Sequence, residues 1–538
     1  MSVMAYMPYG AGGIIIRVEA DIRRGIPGVD ITGLAEGAVR EARDRVRAAF
    51  RNSGFSFPLD RILINLAPAG LKKDGAALDL PIALSVMAAA EIAPVSGDLL
   101  VMGELELSGK IRPVRGVLAA IAAGLSEGIS EFIVPAENAG EAAILAQKGA
   151  RFTAAESLQE AVNALFIREE KGALPASFDT SEESSSAADA SGIFGISPEG
   201  DFSEVRGQAV YKRALEIAAA GGHNVLVFGP PGAGKTMLAR RLTSIMAPLT
   251  PDEAVEVTRL YSLAGPLMNN GDPYSQKFID RLITNPPFRA PHHSASAEGI
   301  LGGGRNPRPG EISLAHFGVL FLDEAPEFRI NVLQALREPL EDRVISISRA
   351  EGPVRLPAEF QMLMAANACP CGRLGIRETD NACFCSPEEV NRYWRKFSGA
   401  LLDRVEIRVA VLPPKVEEMN AAIGRSAKPE EKSAVIMQRV KAAVEIQRLR
   451  FKGTEIRRNA LLPAGKTASL CPLSEKAEGV LNTAISKMGL SGRAFHGILR
   501  VARTIADLDG REVIETEHIL EAIQHRRLGE DPWEILSI

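Results

Sequence analysis

Short apolar runs alternate with stretches of helical spacing along most of the 538-residue chain, the pattern of an α/β protein. Asn224–Phe228, Gly318–Leu322 and Gln361–Ala366 are apolar with almost no polar interruption, which predicts strands buried on both faces of a parallel sheet. The run Val210–Ala220 predicts a helix before the first of these strands, and Met237–Leu242 one after it. Nearer the N-terminus, Gly13–Ala20 reads as a strand, and Val39, Ala42, Val46, Ala49 and Phe50 fall at helical spacing. Towards the C-terminus, helical patterns recur at Val416–Met419 and onward, Ser433–Leu449, Gly497–Leu508 and Thr516–Arg526, with Ser474–Ala477 as a cap. Val344–Arg349 and Val354–Leu356 alternate with period two around Ala350–Pro353, which predicts a hairpin.

One tract breaks the pattern. From Gly172 to Phe202 the chain is rich in Ser, Ala, Asp and Glu, too polar to offset its ordering entropy, so a flexible connector is expected there. This divides the chain into an N-terminal domain (1–171), a linker (172–202), a nucleotide-binding core (203–412) and a helical C-terminal domain (413–538). A flexible linker predicts an N-terminal domain that moves relative to the rest. Charge adds little: 62 basic against 67 acidic side chains, net −5, exert no general pull on nucleic acid, so any such contact needs a local basic surface. Arg40, Arg43, Arg45, Arg47 and Arg51 on one predicted helix offer such a surface, or a solvated face balanced by Glu41 and Asp44. No apolar run approaches the roughly 20 residues that span a bilayer, and no signal-like leader is evident, so no membrane association and a cytoplasmic location are expected.

Candidate chemistry centres on Gly229-Pro230-Pro231-Gly232-Ala233-Gly234-Lys235-Thr236, which fits G-x-x-x-x-G-K-[ST] between a predicted strand and a predicted helix. Its glycines let main-chain N–H groups wrap an anion; Lys235 adds charge for the β- and γ-phosphates, and Thr236 a hydroxyl for Mg²⁺. The apolar run ending in Asp323-Glu324 supplies the complement: Asp323 to hold Mg²⁺ through water, Glu324 to orient and deprotonate the attacking water. ATP with Mg²⁺ is therefore the expected ligand. Four of the five cysteines, Cys369, Cys371, Cys383 and Cys385, could bring four thiolates to a tetrahedral Zn²⁺ or remain free; the single-residue gap within each pair is tighter than usual for zinc. His292 and His293, being adjacent, are expected to point apart and are assigned no catalysis.

Several segments resemble known families. Lys73–Pro81 and Gly103–Gly116 resemble the proteolytic domain of Lon, but Ala77 stands at the nucleophile position and Leu118 at the general-base position, and neither side chain can do that chemistry. Asn367, at the end of an apolar strand, resembles the sensor-1 position of AAA+ ATPases. Ser398–Arg404 resembles the segment carrying the arginine finger in the magnesium-chelatase and minichromosome-maintenance branch, and Ser491-Gly492-Arg493 resembles a sensor-2 start. Together with Pro287–His293 and Pro309–His316, the order of parts is similar to the YifB/ComM family of magnesium-chelatase-like AAA+ proteins over essentially the whole chain. That resemblance implies a P-loop AAA+ motor with a parallel sheet and a helical lid, preceded by an α+β Lon-like domain without its dyad. It further implies a homo-oligomeric ring, a hexamer, driving DNA branch migration or helicase work, with Arg404 acting on a neighbouring subunit's nucleotide. The hairpin matches one that faces the pore in ring translocases, where Arg349 and Arg355 could touch DNA phosphates or, alternatively, the hairpin could make only subunit contacts. Two other readings stay open: a magnesium-chelatase motor subunit and a protein-remodelling ATPase.

Overall fold

A computed structural model describes residues 2–73, 75–95, 98–177, 200–265, 267–269, 272–304, 307–348, 353–374, 383–413, 430–488 and 490–527. Most of the expected connector, Arg349 and the Val416–Met419 segment lie outside the described residues.

The N-terminal part is built on a seven-stranded mixed sheet. Its strands are β1 (Ser2–Tyr9), β2 (Gly12–Arg23), β3 (Gly28–Thr32), β4 (Arg61–Ala67), β5 (Leu99–Val101), β6 (Glu131–Pro135) and β7 (Arg151–Ala155), in the order β3-β4-β2-β1-β5-β6-β7. β2 runs antiparallel to both β1 and β4; the other pairs are parallel. The predicted stripe Val39, Ala42, Val46, Ala49 and Phe50 is fully buried on the helix Gly37–Asn52, packing with Asp79–Ala89 over one sheet face. The helix Val117–Ser126 covers the other face with Tyr6, Leu100 and Phe132. Of the five arginines on Gly37–Asn52, Arg45 turns inward and grips the buried Asp79 in a bidentate pair at 2.7 and 2.9 Å. Arg40, Arg43, Arg47 and Arg51 stay exposed.

The second part holds a five-stranded, wholly parallel sheet. β8 (Val225–Phe228), β9 (Phe288–Arg289), β10 (Val319–Leu322), β13 (Gln361–Ala366) and β14 (Ile407–Ala410) lie in the order β9-β10-β13-β8-β14. The predicted hairpin forms from β11 (Val344–Ile347) and β12 (Val354–Pro357), with Ser346 opposite Arg355. Alternate side chains explain the unbroken apolar runs. Val225 and Val227 pack with Val440, Val444, Ile498 and Ile505 of the C-terminal helices, whereas Leu226 and Phe228 pack with Leu322, Met364, Leu356 and Phe397 on the opposite face. The C-terminal helices Ser433–Arg450, Gly492–Leu508 and Thr516–Arg527 thus share one core with the sheet.

The N-terminal part packs against the second part of the chain. Gly116 N–H donates to Ser262 O at 3.0 Å, on the helix Pro251–Ala264 of the second part. The Ser262 hydroxyl donates to Glu141, which is buried and also accepts from Leu118 N–H at 2.8 Å and Asn138 Nδ2 at 3.0 Å. Burial pushes the Glu141 carboxyl above its ordinary range while these donors oppose the shift. At a second point the β1–β2 turn touches the hairpin: Gly10 N–H donates to Pro307 O at 3.3 Å, and a Cβ on Gly10 would lie 2.6 Å from Val354 Cγ1. A buried carboxylate with three donors, one of them from the other domain, opposes separation of the two parts.

Candidate nucleotide site

The loop Gly229–Thr236 leaves the C-terminal end of β8, which has a parallel neighbour on each side. Gly229 sits so close to Val411 that a Cβ would lie 2.0 Å from its carbonyl oxygen, and Gly234 caps the helix Lys235–Arg240 at φ +83°. Lys235, 9% exposed, turns back over the loop. Its ammonium donates to Gly229 O at 2.7 Å, Pro230 O at 2.9 Å and Asn367 Oδ1 at 3.2 Å. Burial draws its pKa down to about 8, against the opposing pull of Asp323 and Glu324.

Asp323 and Glu324 follow β10, and Asn367 follows β13, so all three leave the sheet at the edge from which the loop emerges. Thr236 Oγ1 donates to Asp323 Oδ2 at 2.9 Å, and Glu324 N–H donates to Asp323 Oδ1 at 3.0 Å. Glu324 has a left-handed backbone, φ +50°, and its side chain is 61% exposed, aimed out of the strand rather than into the core. These groups line one cavity of about 380 Å³, within the range of ligand pockets. A hydroxyl beside a carboxylate gives the hard oxygen donors that Mg²⁺ takes, and a lysine resting on main-chain carbonyls has an ammonium to offer phosphate. The donor set fits a magnesium nucleotide.

Arg404 and Arg493 are elsewhere. They line a separate cavity of about 620 Å³ with Glu341, Arg343, Glu406 and Arg500. Arg404 donates to Ala400 O at 2.5 Å and to Glu341, while its Nε is buried without a partner. Arg493, in the first turn of a helix capped by Ser491, donates to the same Glu341 at 3.2 Å. Of the four residues expected to act catalytically, Glu324 and Asn367 therefore share the loop's cavity, and the two arginines do not.

The four cysteine sulfurs lie within 4.8 Å of one another, with Cys369 Sγ 3.3 Å from Cys371 Sγ and 3.6 Å from Cys383 Sγ. The turn they form abuts the phosphate loop, since a Cβ on Gly372 would meet Pro231 at 3.2 Å. Arg355 is exposed on β12. Ala77 packs against the apolar cluster that contains Leu118. The expectation that His292 and His293 point apart is corrected: their rings stack with centroids 4.1 Å apart, and His293 Nδ1 lies 3.9 Å from Glu324 Oε2. Sequence reasoning also missed Glu341, which only the folded chain brings to the two arginines, and Glu141, which nothing local sets apart from Glu137 four residues earlier.

Residues 201–419 match the family described as magnesium chelatase, subunit ChlI; residues 18–138 match subunit ChlI of Mg-chelatase, and residues 430–526 its C-terminal family. The chain is 40% identical to a Salmonella typhimurium protein named YifB, over 95% of this chain and 94% of that one. It is likewise 40% identical to a Haemophilus influenzae protein named competence protein ComM, covering 96% of each. The chain belongs to the YifB/ComM family. A shorter stretch, 24% of the chain, is 28% identical to 17% of a Solibacter usitatus Lon protease. Membership in the YifB/ComM family makes this a magnesium-chelatase-like AAA+ ATPase with ATP and Mg²⁺ as its implied ligands. Among the described residues no helix is long and apolar enough to cross a membrane.

A nucleotide bound at this loop would be sensitive to the protonation of Lys235. The lysine's free-state pKa of about 8 rises when phosphate oxygens surround the ammonium, so binding ATP takes up a proton once pH exceeds about 8. ATP affinity is expected to fall as pH rises from about 7 to about 9.5, with proton uptake visible by calorimetry in buffers of different ionisation heat. A flat affinity without uptake contradicts this role for Lys235.

Proposed function

We propose that this protein is a cytoplasmic, ATP-hydrolysing ring motor, a hexamer of identical subunits, that translocates on DNA and drives branch migration or strand separation during recombination. The observation that carries the reading is the split site. Lys235, Thr236, Asp323, Glu324 and Asn367 share one cavity, while Arg404 and Arg493 line another, as expected when each nucleotide is completed by a neighbouring subunit. In the proposed reaction the loop Gly229–Thr236 cradles the phosphates, and Thr236 and Asp323 would hold the Mg²⁺ that would supply charge neutralisation there. Glu324 takes the proton of the water whose oxygen attacks the γ-phosphorus as its bond to the β–γ bridging oxygen breaks. Asn367 orients that water, and Arg404 and Arg493 of the adjacent subunit neutralise the charge that develops.

The DNA arm of the reading is supported by the hairpin with its exposed Arg355 and by a relative named for competence. Arg349, outside the described residues, would add a second phosphate contact. With Ala77 and Leu118 at the dyad positions, the Lon-like part serves docking and assembly rather than proteolysis. Cys369, Cys371, Cys383 and Cys385 bind a structural Zn²⁺ that fixes the turn after Asn367 against the phosphate loop.

Two measurements test this. ATP turnover should rise several-fold with forked or four-way DNA and be removed by Glu324→Gln, a loss of at least about 100-fold; turnover indifferent to DNA, without strand exchange, favours the chelatase-like or protein-remodelling readings instead. Metal analysis of protein purified without chelator should give about one zinc per chain, and less than about half an equivalent counts against the site.

A further inference from the structure

Glu341 sits in the helix Arg337–Asp342, and the first strand of the hairpin begins three residues later at Val344. Its two carboxylate oxygens are divided between the two arginines: Oε2 accepts from Arg404 Nη2 and Oε1 from Arg493 Nη2 at 3.2 Å. These guanidiniums come from 63 and 152 residues further along the chain. Arg404 is 12% exposed at its side chain and pinned by Nη1 to Ala400 O, and with Nε buried, Nη2 is the nitrogen that reaches Glu341.

Between Glu341 and the hairpin stands Arg343, left-handed at φ +58°. Its Nη2 donates to Leu461 O at 3.1 Å, and its main-chain oxygen accepts Ala358 N–H at 2.8 Å, which closes the base of the hairpin. The carboxylate that holds both arginines is therefore one short, tied segment away from β11 and β12.

A terminal phosphate offers three oxygens and about two charges; a carboxylate offers two oxygens and one, so the phosphate is the stronger acceptor for two guanidiniums. The geometry points to Glu341 as a latch. Without a neighbour's ATP it ties Arg404 and Arg493 to its own hairpin. When the neighbour's γ-phosphate arrives, both arginines transfer to it and the helix and hairpin are released. Glu341 is thus a positioning residue that couples the neighbour's nucleotide state to this subunit's hairpin, and this rests on the reading that the two arginines serve the adjacent subunit.

Glu341→Gln keeps the shape and removes the charge. The KM for ATP is expected to fall about threefold or more, with kcat held within about threefold of the unaltered protein. Hydrogen exchange at Val344–Ile347 and Val354–Pro357, which differs between ADP and a slowly hydrolysed ATP analogue in the unaltered protein, should become the same with both. In a background carrying both Arg404→Ala and Arg493→Ala, which is not expected to turn over, the same substitution should leave the Kd for a slowly hydrolysed ATP analogue unchanged, because the latch has lost both partners. Glu341→Asp, charged but shorter, should fall between. An unaltered KM together with retained nucleotide-dependent exchange in Glu341→Gln overturns the latch, as does an analogue Kd that still tightens about threefold when Glu341→Gln is added to the doubly substituted background. If Arg404→Ala alone leaves turnover intact, the shared-site reading fails first, and the two failures are told apart.

Discussion

A parallel sheet whose interior strand β8 is buried on both faces and paired on both edges is the constraint on which the site depends. β8 can occupy that position only because its side chains are apolar in both directions, and parallel pairing then sends the loops after β8, β10 and β13 out of the same edge. The groups that meet there come from points more than a hundred residues apart, as in the contact between Lys235 and Asn367. Lys235 lies under this edge, bridging two loop carbonyls to Asn367, so one ammonium ties the loop to the end of β13. Moving any one of these strands by a residue would reverse its inward and outward faces and dismantle the site.

Charge is divided unequally between the two cavities. The loop's cavity holds two carboxylates against one lysine, a donor set for a metal nucleotide, whereas the second cavity concentrates guanidiniums around Glu341 and Glu406. Arg404 Nε and Arg500 Nε are buried there without partners, a cost that a ring interface bringing phosphate nearby would offset. The docked N-terminal part adds a further connection, because its β1–β2 turn rests against the hairpin and Glu141 ties it to the helix Pro251–Ala264.

Much of this was legible in the sequence for identifiable reasons. Strands buried on both faces write long apolar runs, so β8, β10 and β13 could be placed nearly to the residue. The phosphate loop could be read because its backbone needs glycine where a Cβ would strike Val411. The hairpin appeared through its period of two. What escaped was set by distant pairing: Glu341 meets Arg493 across 152 positions, and Ser262 meets Glu141 across 121, and neither partner marks the other locally. The stacked histidines escaped because adjacent side chains diverge only in regular extended backbone, which a loop need not follow. The docked N-terminal part escaped because linker composition describes the linker and not the surfaces it joins.

The central claim is that each nucleotide is served by two subunits, and subunit mixing tests it most directly. Lys235→Ala subunits keep their arginines, and Arg404→Ala subunits keep their phosphate loop; each alone should be inactive. Mixed in equal amounts and reassembled, they should regain roughly a quarter of normal ATP turnover, because about one interface in four pairs an intact loop with an intact arginine. A mixture no more active than its components contradicts the shared site.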